Sequence, residues 1–244
     1  MPVYARDPNA HRVTYGTTIG ILALNINLAV IPGDVGNAST FNFPVLYRVV
    51  EELVTDRADR ALTEHVVRAA VALERAGVAA ITSNCGNMAL YQQEVAAAVS
   101  IPVLLSSWMQ VPFIHRLLPP GKKVGALVPD SRDDLTEILM CAGIDESIPL
   151  VIAGLEDCPA FYSAVVKLQD PRDTDQEERE VVAVAAQLVE SNPDIGAILL
   201  ECSDLPPYAA AVQEAVRLPV FDFATMINFV WSALVRSRYR GTVY

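Results

Sequence analysis

Basic residues are scarce in this chain. Lys and Arg number 18 against 29 Asp and Glu, giving a formal charge of −11, and the cations form no cluster. Nucleic acid and anionic membranes are met through clustered Lys and Arg, so neither is expected as a partner. Histidine occurs only at His11, His65 and His115, and the four cysteines (Cys85, Cys141, Cys158, Cys202) show no C-x-x-C spacing. No metal site and no disulfide framework emerges from such a distribution. The glycines of Ile31–Phe41 do not form G-x-G-x-x-G, which speaks against a dinucleotide site. Long hydrophobic runs are also missing. The segment Ile19 to Ile31 is interrupted by Asn25 and Asn27 and falls short of the ~20 apolar residues that span a bilayer. Met1 to Asp7 lacks the basic start and apolar stretch of a signal peptide, so a soluble, cytoplasmic protein is expected. What the chain does have is apolar residues, 52% of the total, enough to bury a real core.

The most informative feature is an internal repeat. Ala79-Ala80-Ile81-Thr82-Ser83-Asn84-Cys85 matches Gly196-Ala197-Ile198-Leu199-Leu200-Glu201-Cys202 at an offset of 117 residues. Without a gap, Tyr91 then falls on Tyr208, Val95 on Val212, Pro102-Val103 on Pro219-Val220, and Met109 on Met226. Ile19-Gly20-Ile21-Leu22 resembles Val124-Gly125-Ala126-Leu127 at the start of each half. Each repeat reads as a buried strand, a Cys-bearing turn, a helix and a further strand, and this alternation implies parallel sheets.

The first half is expected to hold strands near 17–24, 78–83 and 101–105, with helices near 43–54, 61–76, 88–99 and 107–117. The second is expected to hold strands near 123–128, 148–153, 194–200 and 218–222, with helices near 131–142, 159–168, 175–191 and 205–216. Asn87 and Asp204 stand where N-caps belong, and Pro119-Pro120-Gly121 makes a linker. The expected lobes are 1–119, completed by the C-terminal helix 223–244, and 120–222. The charged stretch Arg172 to Glu180 is accounted for as a solvated helix start.

Both Cys85 and Cys202 fall at the carboxyl end of a strand, where ligands bind in open α/β sheets. The turn into the following helix offers free N–H groups and partial positive charge, which hold a carboxylate and lower a thiol pKa. Two pseudo-equivalent lobes would set the thiols on opposite walls of one cleft. One thiolate would then remove a Cα proton from one face while the opposite thiol protonates the other, with backbone N–H groups stabilising the carbanion. Cys85 has neutral neighbours, whereas Cys202 is flanked by Glu201 and Asp204, so Cys85 is the expected resting thiolate. An alternative has Glu201 pointing into the opposite lobe and Asp204 capping its helix. Asn25, Asn84, Asn87 and Ser203 are candidates for holding substrate, Gly86 for letting backbone approach it, and Asp204 lies among them. The polar loop Ile31–Phe41 is placed to line or cover the cleft, though an ordinary connection would fit as well.

Ser83-Asn84-Cys85-Gly86-Asn87-Met88-Ala89 and Leu200-Glu201-Cys202-Ser203-Asp204-Leu205-Pro206 resemble the paired cysteine motifs of the aspartate/glutamate/hydantoin racemase superfamily, over residues 17–238. The resemblance implies two similar Rossmann-like lobes related by a pseudo-two-fold axis, an active-site cleft between them, a thiolate/thiol pair, no cofactor and a homodimer. It also implies a small carboxylate substrate and, with both cysteines present, a pyridoxal-phosphate-independent amino-acid racemase or epimerase. The motifs depart from those of glutamate racemases: Cys85-Gly86-Asn87 stands for Cys-Asn-Thr, Cys202-Ser203-Asp204 for Cys-Thr-His, and Asn25 for an Asp-Ser pair. Maleate-type isomerisation and arylmalonate-type decarboxylation belong to the same superfamily. A two-lobed ligand-binding protein is the alternative outside catalysis.

Overall fold

A computed structural model describes residues 18–238. His11 and the ends of the two terminal segments lie outside the described residues. The first sheet contains β1 (Ile19–Leu24), β2 (Val45–Val50), β3 (Ala80–Ser83) and β4 (Val103–Leu104) in the order β2-β1-β3-β4. The second contains β5 (Lys123–Val128), β6 (Leu150–Gly154), β7 (Ile195–Leu200) and β8 (Val220–Phe221) in the matching order β6-β5-β7-β8. Every pairing is parallel. The helices are α1 (Thr63–Ala76), α2 (Gln92–Ala98), α3 (Val111–Leu117), α4 (Thr136–Cys141), α5 (Pro159–Phe161, continued as a π turn), α6 (Thr174–Ser191), α7 (Ala209–Val216) and α8 (Phe223–Leu234). The two-lobed α/β architecture expected from the repeat is therefore present.

Side chains alternate across each central strand, as the pleat requires. On β5, Val124, Ala126 and Val128 face one core while Leu127 faces another. On β1, Leu22 packs under α1 and α2, and Ile19 and Ile21 pack on the opposite side. Helices are exchanged between the halves. Trp108, Val111 and Ile114, from α3 and the turn before it, bury against β5 and β7 of the second sheet. Phe223, Met226 and Ile227 of α8 return to β1 and β3 of the first. Each sheet is thus closed by a helix from the other half, and the exchange follows the sequence repeat that aligns Met109 with Met226.

Two expectations need correction. Residues 45–50, expected as part of a helix, form the edge strand β2 in register with β1. Val45, Tyr47, Val49 and Val50 are β-branched or aromatic, and pairing with an apolar neighbour overrides the weak helical spacing. The helices expected at 88–99 and 205–216 each begin as a 3₁₀ turn, Gly86–Tyr91 and Pro206–Tyr208, before α2 and α7. Their N-caps are accordingly Cys85 and Leu205, not Asn87 and Asp204.

Candidate active site

The carboxyl ends of β1, β3, β5 and β7 open onto one cavity of about 160 Å³, lined by both Cys85 and Cys202. Backbone and side-chain bonds fix its floor across the lobes. The Asn84 amide donates to the Leu22 carbonyl (3.1 Å), and Asn84 Oδ1 accepts from the Leu24 N–H (2.9 Å), extending β1 beside the site. Ser203 Oγ donates to the Asn84 carbonyl at 2.6 Å, and Ser107 Oγ donates to the Glu201 carbonyl at 2.7 Å. The loop after β1 docks on the second lobe. The Val35 N–H donates to the Ser203 carbonyl at 3.2 Å, and Gly33, at φ +104°, lies so close to Pro207 that a Cβ would meet its backbone at 2.9 Å.

Asn84, Gly86, Asn87, Ser203 and Asp204 all line the cavity. Asn25 does not: its Nδ2 donates to the Glu51 carbonyl (3.0 Å), at the far edge of the first sheet. Just past the end of β1, the Asn25 N–H donates to the Leu53 carbonyl at 2.7 Å, holding Asn25 on the β2 side. Asn87 Nδ2 is engaged by the Asp56 carbonyl at 3.0 Å, which ties the segment after β2 over Cys85.

Cys85 Sγ donates to the Asp56 carbonyl at 3.7 Å, and Cys202 Sγ lies 3.6 Å from Asp204 Oδ2. Burial pushes both thiols well above the usual range. Carboxylates add to this: Glu201 and Asp56 act on Cys85, and Asp204 and Glu201 on Cys202. The N–H groups of Asn87 and Asp204 act in the opposite direction but are outweighed. Glu201 points into the opposite lobe, as the alternative reading had it, so Cys85, whose sequence neighbours are neutral, also feels a carboxylate. A Cβ at Gly86 would lie 1.5 Å from Glu201 Oε1, so glycine is required there by a carboxylate rather than by a ligand's backbone approach alone. Burial raises Glu201 itself to about 8, and Asp56 adds to that shift.

Sequence reasoning missed several groups. Asp34, from the loop after β1, is buried in the cavity wall and pushed up to about 9 by burial and by Asp204. Arg172 is not solvated: its side chain is 4% exposed, pairs with Glu177 at 2.7 Å and approaches Asp204 at 3.6 Å. Behind it, Tyr208 donates to Glu177 at 2.5 Å. The only available signal was the position of Asp34 in a loop already suspected of lining the cleft. The lining also carries Asp56, Asp130 and Asp133 against one cation, Arg57, among the described residues. Its apolar part comes from Leu24, Ile26, Leu28, Val30, Val165 and Leu168. Among the described residues, no group of three or more His, Cys, Asp and Glu is arranged to hold a metal ion. No helix among them is long and apolar enough to cross a membrane.

Solved structures with a two-lobed α/β fold superpose on this chain. Unliganded arylmalonate decarboxylase matches with a TM-score of 0.58 at 19% identity, over 90% of this chain and 92% of that one. Glutamate racemase from Francisella tularensis, in complex with D-glutamate, matches with a TM-score of 0.53 at 15% identity, over 89% and 80%. The fold is that of these decarboxylase and racemase structures. No family model matches the sequence. Sequence similarity is greater to another group. A dimethylsulfoniopropionate lyase of Durusdinium sp. clade D is 29% identical over 93% of this chain and 77% of its own length. Dimethylsulfoniopropionate lyase 7 of Emiliania huxleyi is 30% identical over 89% and 67%, and lyase 3 of the same organism 30% over 89% and 60%. The chain belongs to the family of these lyases.

Proposed function

We propose that this protein is a lyase that cleaves dimethylsulfoniopropionate, or a close β-onium carboxylate, to a dialkyl sulfide and acrylate. The observation that carries the reading is the cavity itself: a thiol from each lobe stands beside acidic and apolar walls. A sulfonium has no N–H to donate, so it is held by negative charge and by contact with its methyl groups. Asp56, Asp130, Asp133 and Asp204 supply the charge, and the Leu24–Val30 stretch with Val165 and Leu168 supplies the contact. Arg57 is the lining cation available to the carboxylate. A cysteine thiolate removes the proton α to the carboxylate, the electron pair forms the alkene, and the Cβ–S bond breaks with the pair leaving on sulfur. The sulfonium charge also offsets the carboxylates that keep the thiols protonated in the empty cavity, so binding itself favours the thiolate.

Racemisation of an amino acid is the second reading, favoured by the presence of both cysteines on one cavity. The test is to incubate the full chain with dimethylsulfoniopropionate in D₂O, following dimethyl sulfide by gas chromatography and acrylate by NMR, with amino acids assayed in parallel. The lyase reading requires sulfide release that is lost on substituting the base cysteine by Ser. Exchange of amino-acid α-protons, abolished by both Cys85→Ser and Cys202→Ser without any sulfide release, replaces it with the racemase reading. Tight binding of the zwitterion without either reaction would point to a ligand-binding role.

A further inference from the structure

Asp34 is a buried carboxyl that the elimination described above leaves unused. It is 1% exposed; Oδ1 accepts the Gly36 N–H at 2.6 Å, and Oδ2 has no partner. Asp204 stands beside it from the other lobe: both line the same cavity, and the neighbouring Val35 N–H donates to the Ser203 carbonyl at 3.2 Å. Asp204 is 7% exposed; its Oδ2 faces the Cys202 thiol at 3.6 Å, and its Oδ1 makes no hydrogen bond. An ionised carboxyl only accepts hydrogen bonds, so two in buried contact leave each other unsatisfied and repel. One proton between them removes both defects. The charged and titratable groups facing Asp34 are Asp204, Arg172 and Tyr47. Those facing Cys202 are Asp204, Glu201 and Cys85. Arg172 is committed to Glu177 and stands too far from Asp204 Oδ1, at 3.6 Å, to replace the missing donor. Cys85, by contrast, donates its thiol hydrogen to the Asp56 carbonyl, which cannot take up a proton, while the carboxyl that reaches it, Glu201, is not its hydrogen-bond partner.

Resting on the lyase reading, we propose that Asp34 and Asp204 hold a single proton between them and together accept the thiol proton of Cys202, making Cys202 the base. The cycle balances. The shared proton leaves to solvent, and the Cys202 S–H proton moves onto Asp204 Oδ2 and is shared with Asp34. The thiolate then takes the α-proton, the Cα–Cβ double bond forms, and the sulfide departs with the Cβ–S pair. Cys202 ends as thiol and the acid pair again holds one proton. The net release is one proton per turnover, as conversion of the zwitterion to acrylate and neutral sulfide demands.

Because the pair must empty before it can accept, activity rises with pH as the pair loses its proton, at about 9; this titration belongs to the pair rather than to either residue. The experiment follows dimethyl sulfide release and iodoacetamide alkylation of Cys202 and Cys85, mapped by peptide mass, against pH. In the native chain, kcat/KM and Cys202 alkylation rise together near that pH. Asp34→Asn lowers kcat by about 100-fold or more, leaves KM nearly unchanged and moves both limbs upward, while Asp34→Glu restores part of the rate. An Asp34→Asn protein with native kcat and unshifted limbs overturns the proposal. Should that variant fail to fold, the native protein's protonated-carboxyl infrared band decides, since the pair requires its disappearance near the same pH. If the native chain does not cleave dimethylsulfoniopropionate, the lyase reading fails by itself. The alkylation limb then still judges the acid pair, upheld if Asp34→Asn shifts it for Cys202 and overturned if it does not.

Discussion

Gly86→Ala tests the contact that joins the two cysteine motifs. The new Cβ would stand 1.5 Å from Glu201 Oε1 and 2.4 Å from its carboxyl carbon. Ordinary contact requires the carboxyl group to retreat by roughly 2 Å. Glu201 is only 5% exposed, so its carboxyl can retreat only into the cavity it lines. Overpacking of this kind costs about 1–3 kcal/mol, and a chain of this size loses ~2–4 °C of Tm per kcal/mol. Glu201→Ala vacates the space, so the double variant should recover most of the penalty, with a coupling of about 0.5–3 kcal/mol. Thermal and urea unfolding of the native chain, both single variants and the double variant measure it. Glu201→Ala should also lower the Cys85 thiol pKa by removing the carboxylate nearest to it, read from alkylation rate against pH. Single-variant effects that add within about 0.5 kcal/mol would refute the placement of Glu201 over Gly86 and the account of Cys85 built on it.

Stability should fall as pH rises from mildly acidic to alkaline. The folded pKa values of Glu201 (about 8) and Asp34 (about 9) lie above their unfolded values, so their contribution is complete at low pH and is lost as pH passes through those two values. Urea midpoints across that range check this, and Glu201→Gln should flatten the curve; a native midpoint that climbs toward pH 9, unaffected by the substitution, would contradict it. Arg172→Leu strands Glu177, whose side chain is fully buried, and removes the cation beside Asp204. A loss of about 3–5 kcal/mol is expected, and a urea-derived loss below about 1 kcal/mol would show that the pair is solvated.

Much of the architecture could be read from residue order, because a repeat constrains two regions at once. Once Ala79–Cys85 and Gly196–Cys202 are aligned, the strands, the parallel pairing and both strand-end cysteines follow from apolar runs and turn positions. The edge strand β2 was illegible because Val45–Val50 carries a mixed pattern whose state is settled by the neighbour it pairs with. The six candidate binding residues were chosen by proximity in sequence to a cysteine or to the end of β1. Such proximity puts Asn84 and Ser203 on the cavity wall, where the chain enters it directly, and leaves Asn25, one residue beyond the paired part of β1, off it.

By itself, the sequence determined the secondary-structure rhythm, the two-lobed parallel architecture and the pair of thiols at matching strand ends, since these depend on local pattern and its repetition. Tertiary structure alone decided the electrostatics. Glu201 reaches Cys85 across the lobe boundary, Asp34 meets Asp204 from a loop 170 residues earlier, and Arg172 is buried beneath them. A pKa is set by burial and by charges within a few ångströms, and those distances exist only after the lobes have closed on each other.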